Sequence, residues 1–203
     1  LGTGNAQDIS NTALAFAELG IRPDSFFAGL EKRVGLFSLS AEVQNVCNVC
    51  WSLVILDLAR QHNALLQSLW ERAMSVDTKT VVFQALNQLC QVELHAKASG
   101  IVLQTPVPSA LRQRMIEAAG KTIQNSSRFE GEYSELLNDL GFEHEREVSP
   151  FAEEEKAGEV LAIDMACSAR KIAIECDGPL HYLSSGRENG RTETGRASWR
   201  ARG

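Results

Sequence analysis

An array of paired α-helices, an α-solenoid, followed by a small α/β unit is the fold class this sequence predicts. Two observations carry that expectation. Apolar residues recur on one helical face three times in the first half, at offsets of 37 and 36 residues. Past residue 124 the texture changes to short apolar runs separated by turn residues, as in strands packed with a helix.

The repeat begins with Ile9, Ala13, Phe16, Ala17 and Leu19. The same register gives Val46, Cys50, Leu53, Val54 and Leu56, then Val82, Leu86, Leu89, Cys90 and Val92. All fifteen positions are apolar, and the first four of each set follow i, i+4, i+7, i+8, one face of an α-helix. An amide side chain recurs in register at Asn11, Asn48 and Gln84. Three helices are thus expected to bury one face along a continuous seam.

A second helix is expected after each of the first two. Pro23-Asp24 opens one, with Phe26, Phe27, Leu30 and Val34 inward, and a shift of 39 gives Leu65, Leu66, Leu69 and Ala73. A looser helix is expected from Ser109 to Gln124, after Pro108, with Leu111, Met115 and Ala119 apolar. The unit is helix–turn–helix, and stacked pairs of this kind cover one another's apolar faces. The period and the string Asn11-Thr-Ala-Leu-Ala-Phe-Ala-Glu-Leu-Gly20 resemble octotricopeptide repeats and the helical region of FAST kinase-like proteins. That resemblance implies action on organellar RNA.

Asn125-Ser126-Ser127 reads as a turn. Phe129 to Leu140 reads as an amphipathic helix with Phe129, Tyr133, Leu136, Leu137 and Leu140 on one side, stopped by Gly141. A strand is expected at His144–Val148, an acidic loop at Pro150–Gly158, and a strand at Val160–Asp164 ending in a carboxylate. Ser168-Ala169-Arg170-Lys171 turns the chain into a second strand, Ile172–Glu175. The string from Ile163-Asp164 through Arg170-Lys171-Ile172-Ala173-Ile174-Glu175-Cys176-Asp177-Gly178-Pro179-Leu180-His181-Tyr182 resembles the core of a RAP domain. The resemblance implies a restriction-endonuclease-like α/β fold and a role in organellar RNA processing, stability or translation. A RAP domain continues with a further helix and strand. Residues 184–203 are instead rich in Gly, Arg, Ser and Glu, so the domain is expected to be incomplete or completed by another molecule. The expected organisation is helical repeats over 1–124, a RAP-like unit over 125–183 and an Arg-rich tail over 184–203.

Asp164 and Glu175 on adjacent strands are candidates to share Mg²⁺, which would activate water in a nuclease. Glu132 or Glu135 would add a third carboxylate. A PD-(D/E)xK nuclease also carries a Lys two residues after the Glu, where this chain has Asp177. Lys171 or His181 would have to replace it. Turn chemistry accounts equally for Asp177-Gly178-Pro179.

The chain carries a net charge of −6, awkward for a phosphate-binding surface. The charge is uneven. Arg187, Arg191, Arg196, Arg200 and Arg202 against Glu188 and Glu193 make residues 184–203 locally +3, leaving −9 elsewhere. Five cysteines without framework spacing argue for reduced thiols and an intracellular compartment. Cys47-x-x-Cys50 lacks a second ligand pair and reads as two small buried residues on a helix. No apolar run is long enough to span a membrane. The chain starts at Leu1, and no targeting peptide is visible.

The expectation is therefore a non-catalytic RNA-binding component of a ribosome or other ribonucleoprotein particle, in a mitochondrion or alternatively a plastid. Arg170, Lys171, His181, Arg187, Arg191, Arg196 and Arg200 are its candidate RNA contacts. Its partners would be RNA and neighbouring proteins of the assembly, with no cofactor. The alternatives are a Mg²⁺-dependent RNA endonuclease using Asp164 and Glu175, and a protein-binding helical scaffold.

Overall fold

The computed structural model describes residues 4–123, 128–148 and 163–176. Among them are eight helices followed by a small three-stranded antiparallel sheet. Helix α1 (Ala6–Leu19) opens on a capping box. The Asp8 amide donates to Asn5 Oδ1 at 2.9 Å, and the Asn5 amide donates to Asp8 Oδ2 at 3.1 Å. Gly20 ends it with a left-handed φ of 64°, a conformation that costs glycine little.

The expected helix after Pro23 is present but divided. Helix α2 (Asp24–Glu31) breaks at Lys32-Arg33 and resumes as α3 (Val34–Ser40). Phe27 and Leu30 are fully buried, whereas Phe26 and Val34 are half-buried. The break re-aims the chain so that Phe37 reaches the core. Leu36 and Leu39 are left on the surface.

Helix α4 (Val43–Ile55) is the centre of the molecule: every residue from Asn45 to Ile55 is buried. Its run Val-Cys-Asn-Val-Cys-Trp-Ser-Leu-Val-Ile is apolar nearly all round, as a helix enclosed by others must be. Helix α1 packs on one side, α6 (Phe83–Ala98) on another, and α5 (Asn63–Met74) on a third. Helix α7 (Ser109–Ile123) packs on α6, and α3 packs on α5. The first helices of the repeats, α1, α4 and α6, thus lie side by side, with α2, α3 and α5 forming the second set.

Most of the expected seam is buried. Ala13, Ala17, Val46, Cys50, Leu53, Val54, Leu56, Leu86, Leu89, Cys90 and Val92 are interior, and Ile9 and Phe16 are half-buried at the edge helix. Two positions depart. Val82 is 54% exposed because α6 begins at Phe83, which leaves Val82 at the N-cap while Val81 turns inward. Leu19 is exposed at the end of α1. The recurring amides also diverge. Asn48 is buried, whereas Asn11 and Gln84 are exposed.

Between α6 and its partner helix α7 an extended strap, residues 101–108, lies along α5. Gln67 holds it from both sides of its amide, donating to the Val102 carbonyl at 2.8 Å and accepting the Gln104 N–H at 2.9 Å. Trp70 Nε1 donates to the Thr105 carbonyl at 2.8 Å. Pro106 and Pro108 suit an extended path. Helix α7 follows with Leu111 and Met115 buried, as expected; the side chain of Ala119 lies outside the described residues.

Helix α8 (Arg128–Asp139) precedes strands β1 (Glu145–Val148), β2 (Ile163–Cys167) and β3 (Ile172–Ile174), in sheet order β1-β2-β3. Its expected apolar side is mostly outward, and the side chain of Phe129 lies outside the described residues. Tyr133, Leu136 and Leu140 are exposed, Leu137 is half-buried, and Ser134 is buried. The inward row is Glu130, Ser134 and Leu137, because Ser134 is held by a hydrogen bond to His144. Strand β2 also differs from expectation. The apolar run continues past Asp164 through Met165-Ala166-Cys167, all buried as the central strand requires. Asp164 therefore sits near the start of β2, not at its end. The expected acidic loop, the start of the predicted strand at Val160 and everything from Asp177 onward lie outside the described residues.

Candidate nucleic-acid interface on the sheet

The hairpin β2–β3 pairs Met165 with Ile174, Ala166 with Ala173 and Cys167 with Ile172. Between the strands, Ser168–Arg170 forms one 3-10 turn and Lys171 takes a left-handed φ of 53°. A basic pair, Arg170 and Lys171, is thereby exposed at the turn end of the sheet.

Arg170 does not hang free there. Its guanidinium carbon lies over the Phe142 ring, 5.5 Å from the centroid, within the range of a cation–π contact. Phe142 is placed by the end of α8. Gly141, at φ 68°, donates its N–H to Asn138 at 2.9 Å, and Phe142 donates to the Leu137 carbonyl at 2.9 Å. This is the αL stop that glycine permits, with an apolar residue following it. His144 stacks near Phe142, ring centroids 6.3 Å apart. Its Nδ1 lies 2.9 Å from the Phe142 carbonyl and its Nε2 lies 2.8 Å from Ser134 Oγ. A carbonyl only accepts, so Nδ1 donates, and in the neutral ring Nε2 accepts the Ser134 hydroxyl. Both nitrogens are thus committed, which fixes the ring and ties β1 to α8.

The other end of the sheet is acidic. One step beyond the Met165–Ile174 pair, Asp164 lies opposite Glu175. On β1, Glu147 falls between Arg146 and Val148, which pair with Met165 and Ile163, and takes a left-handed φ of 51°. Asp164 and Glu175 are therefore neighbours in backbone register, but by a route other than the expected one. Two C-terminal strand ends of a hairpin would lie at opposite ends of it. The shifted β2 places the start of one strand beside the end of the other. Asp164 Oδ2 accepts the Cys176 backbone N–H at 2.6 Å, so part of its hydrogen-bonding capacity holds the exit of β3. Among the described residues, no group of three or more His, Cys, Asp or Glu side chains could hold a metal ion. Glu132 and Glu135 are exposed on α8.

Of the residues expected to contact RNA, Arg170 and Lys171 share the turn. His181, Arg187, Arg191, Arg196 and Arg200 lie outside the described residues. The sequence reading missed Phe142, His144 and Ser134. The Gly141-Phe142 step signals a helix stop with an apolar contact, but a serine ten residues from a histidine carries no local signal. The cysteine pair behaves as expected. Burial pushes the Cys47 thiol up to about 12 and raises Cys50 as well, and all five cysteines are free. No helix among the described residues is long and apolar enough to cross a membrane.

No protein-family model matches the chain, no curated protein matches it, and no solved structure matches it. The functional reading therefore rests on the residues themselves.

Proposed function

We propose that this protein is a non-catalytic RNA-binding component of an organellar ribonucleoprotein particle, mitochondrial or plastid. In this reading its helices form an α-solenoid and its sheet belongs to a RAP-like, restriction-endonuclease-like module. The observation that carries it is the exposed Arg170-Lys171 pair, with Arg170 laid over Phe142. An arginine stacked on a ring keeps its forked donors in a fixed plane and loses less entropy on meeting a phosphate.

The test is fluorescence anisotropy of a labelled oligouridylate over a salt series, with wild-type protein and Arg170→Ala/Lys171→Ala. Loss of two phosphate contacts should weaken binding and flatten the log–log salt slope by roughly 1.4, at about 0.7 per contact for a single strand. Equal affinity and slope in both proteins would remove the turn from the interface.

A second reading is favoured by one feature, the opposition of Asp164 and Glu175. Those carboxylates would hold Mg²⁺ in an RNA endonuclease. Asp177 in place of the usual Lys takes away the cation expected beside the scissile phosphate. Cleavage of the same oligonucleotide in millimolar Mg²⁺, abolished by Asp164→Asn, would establish that reading over the first.

A further inference from the structure

The turn end of the sheet is not a strongly basic surface. Glu145 pairs with Ala166, so the start of β1 lies beside the end of β2, and Glu143 comes two residues earlier. Both glutamates are exposed, as are Arg170 and Lys171. Two carboxylates against two cations leave this end without net formal charge. Long-range attraction for a polyanion is correspondingly small.

What marks the turn is a stack of planar groups. The His144 ring lies against the Phe142 ring at an interplanar angle of 26°, and the Arg170 guanidinium lies over that same Phe142 ring. The support is held in place. The Phe142 N–H is bonded to the Leu137 carbonyl, and both His144 nitrogens have partners. Phe142 covers one side of the guanidinium, and Arg170 is otherwise exposed. Among the described residues its guanidinium makes no hydrogen bond or ion pair.

A planar cation with one side backed by a ring and the other open to solvent is a surface for a flat, electron-rich group. Duplex RNA offers no such group. Its bases are covered by their neighbours, and its major groove is too deep and narrow for side chains to read. An unpaired base has open π faces, and aromatic rings and arginine planes both serve as platforms for it.

We propose, resting on the RNA reading above, that this site takes single-stranded RNA at an unpaired base. The base stacks on the open side of the Arg170 guanidinium, extending the Phe142–Arg170 stack, and Lys171 meets the adjoining phosphate. Stacking strength, not charge, then sets the selectivity, and a purine with its larger face is preferred to a pyrimidine.

The experiment is fluorescence anisotropy of the whole chain with three labelled probes. They are an oligouridylate carrying one central adenosine, the same strand with an abasic central position, and the adenosine strand annealed to its complement. The single adenosine strand should bind roughly tenfold more tightly than either of the others, a difference of about 1.4 kcal/mol. Arg170→Lys keeps the charge and loses the plane. It should lose the adenosine preference while its salt slope stays that of wild type. A second readout needs no variant. The NMR signal of the Arg170 Nε–H should move upfield on adding the adenosine strand, because a stacked base shields protons above its ring, and should not do so with the abasic strand. Equal binding of the adenosine and abasic strands, a duplex bound as tightly as the single strand, or a lysine variant with wild-type affinity and preference would overturn the stacking. Each of those results leaves Arg170 and Lys171 as phosphate contacts. Failure of every probe to bind, or wild-type affinity in Arg170→Ala/Lys171→Ala, would overturn the RNA reading and the stacking with it.

Discussion

Asp164 accepts the backbone N–H of Cys176 at 2.6 Å, tying the start of β2 to the chain just past β3. The bond closes the open end of the hairpin, opposite the turn that carries Arg170 and Lys171. Asp164→Ala should cost about 1–2 kcal/mol, toward the low end for a charged acceptor because the site is half-exposed. Asp164→Asn keeps an acceptor oxygen and should lose less. Urea unfolding of the three proteins distinguishes these outcomes. An asparagine variant as unstable as the alanine variant would mean that charge, not the hydrogen bond, matters at this position.

The repeat register treats Leu53 and Val82 alike, and the structure separates them. Leu53 is fully buried in α4, so Leu53→Asp should destabilise by several kcal/mol, of the order of 3–5 for a buried unpaired charge. Val82 is the N-cap of α6, in extended geometry and with no side-chain cap. Val82→Asp should therefore stabilise the protein, by about 0.5–1 kcal/mol, because aspartate caps the free N–H groups and meets the positive end of the helix. Thermal unfolding should give shifts of opposite sign.

This pair also shows what the sequence makes legible. Helical faces are local, so the recurrence of Ala13, Cys50 and Leu86 and of Phe27 and Leu66 marks the interior correctly. The ends of elements depend on what they meet. Val82 reads as one more apolar position until the start of α6 is known. The amphipathic row Tyr133, Leu136 and Leu140 reads as an inward face until Ser134 is seen bonded to His144. The strap at 101–108 and the Trp51–Gln91 hydrogen bond are invisible for a similar reason. Gln67, Trp70 and Gln91 act across 35 to 40 residues of chain, and no spacing rule reaches that far. At the candidate site the sequence shows the turn cations, whereas the ring beneath Arg170 is a tertiary contact.

Buried thiols give the protein an alkaline weakness. Desolvation pushes Cys47 and Cys90 from an ordinary 9.0 to about 12 and raises Cys50 too. An acid whose pKa is raised by folding favours the folded state while both states are protonated. That contribution is intact below about pH 9 and is lost as pH rises toward about 12, because only the unfolded chain then releases the protons. The urea midpoint should fall over this window. Cys47→Ala/Cys90→Ala should show a shallower fall than wild type, although the cavities lower its stability at neutral pH. Equal slopes would mean that other groups set the alkaline limit.

The strap at 101–108 is held to α5 by side-chain hydrogen bonds, so its attachment should be separable from the rest of the core. Trp70 is fully buried, and its indole N–H reaches the Thr105 carbonyl. Trp70→Phe keeps most of the apolar surface but leaves that carbonyl without its donor. The change should cost about 1–3 kcal/mol, combining an unpaired acceptor with a small loss of volume. Gln67→Ala removes both amide bonds to Val102 and Gln104 at an exposed site, where each bond contributes about 0.5–1 kcal/mol or less. Hydrogen exchange should separate the two. In Gln67→Ala the Gln104 amide loses protection, while amides in α4 exchange as in wild type, because the change is local. In Trp70→Phe protection should fall along both α5 and α4, since Trp70 sits in the shared core. Loss of protection in α4 from Gln67→Ala would show that the strap and the helices unfold as one unit.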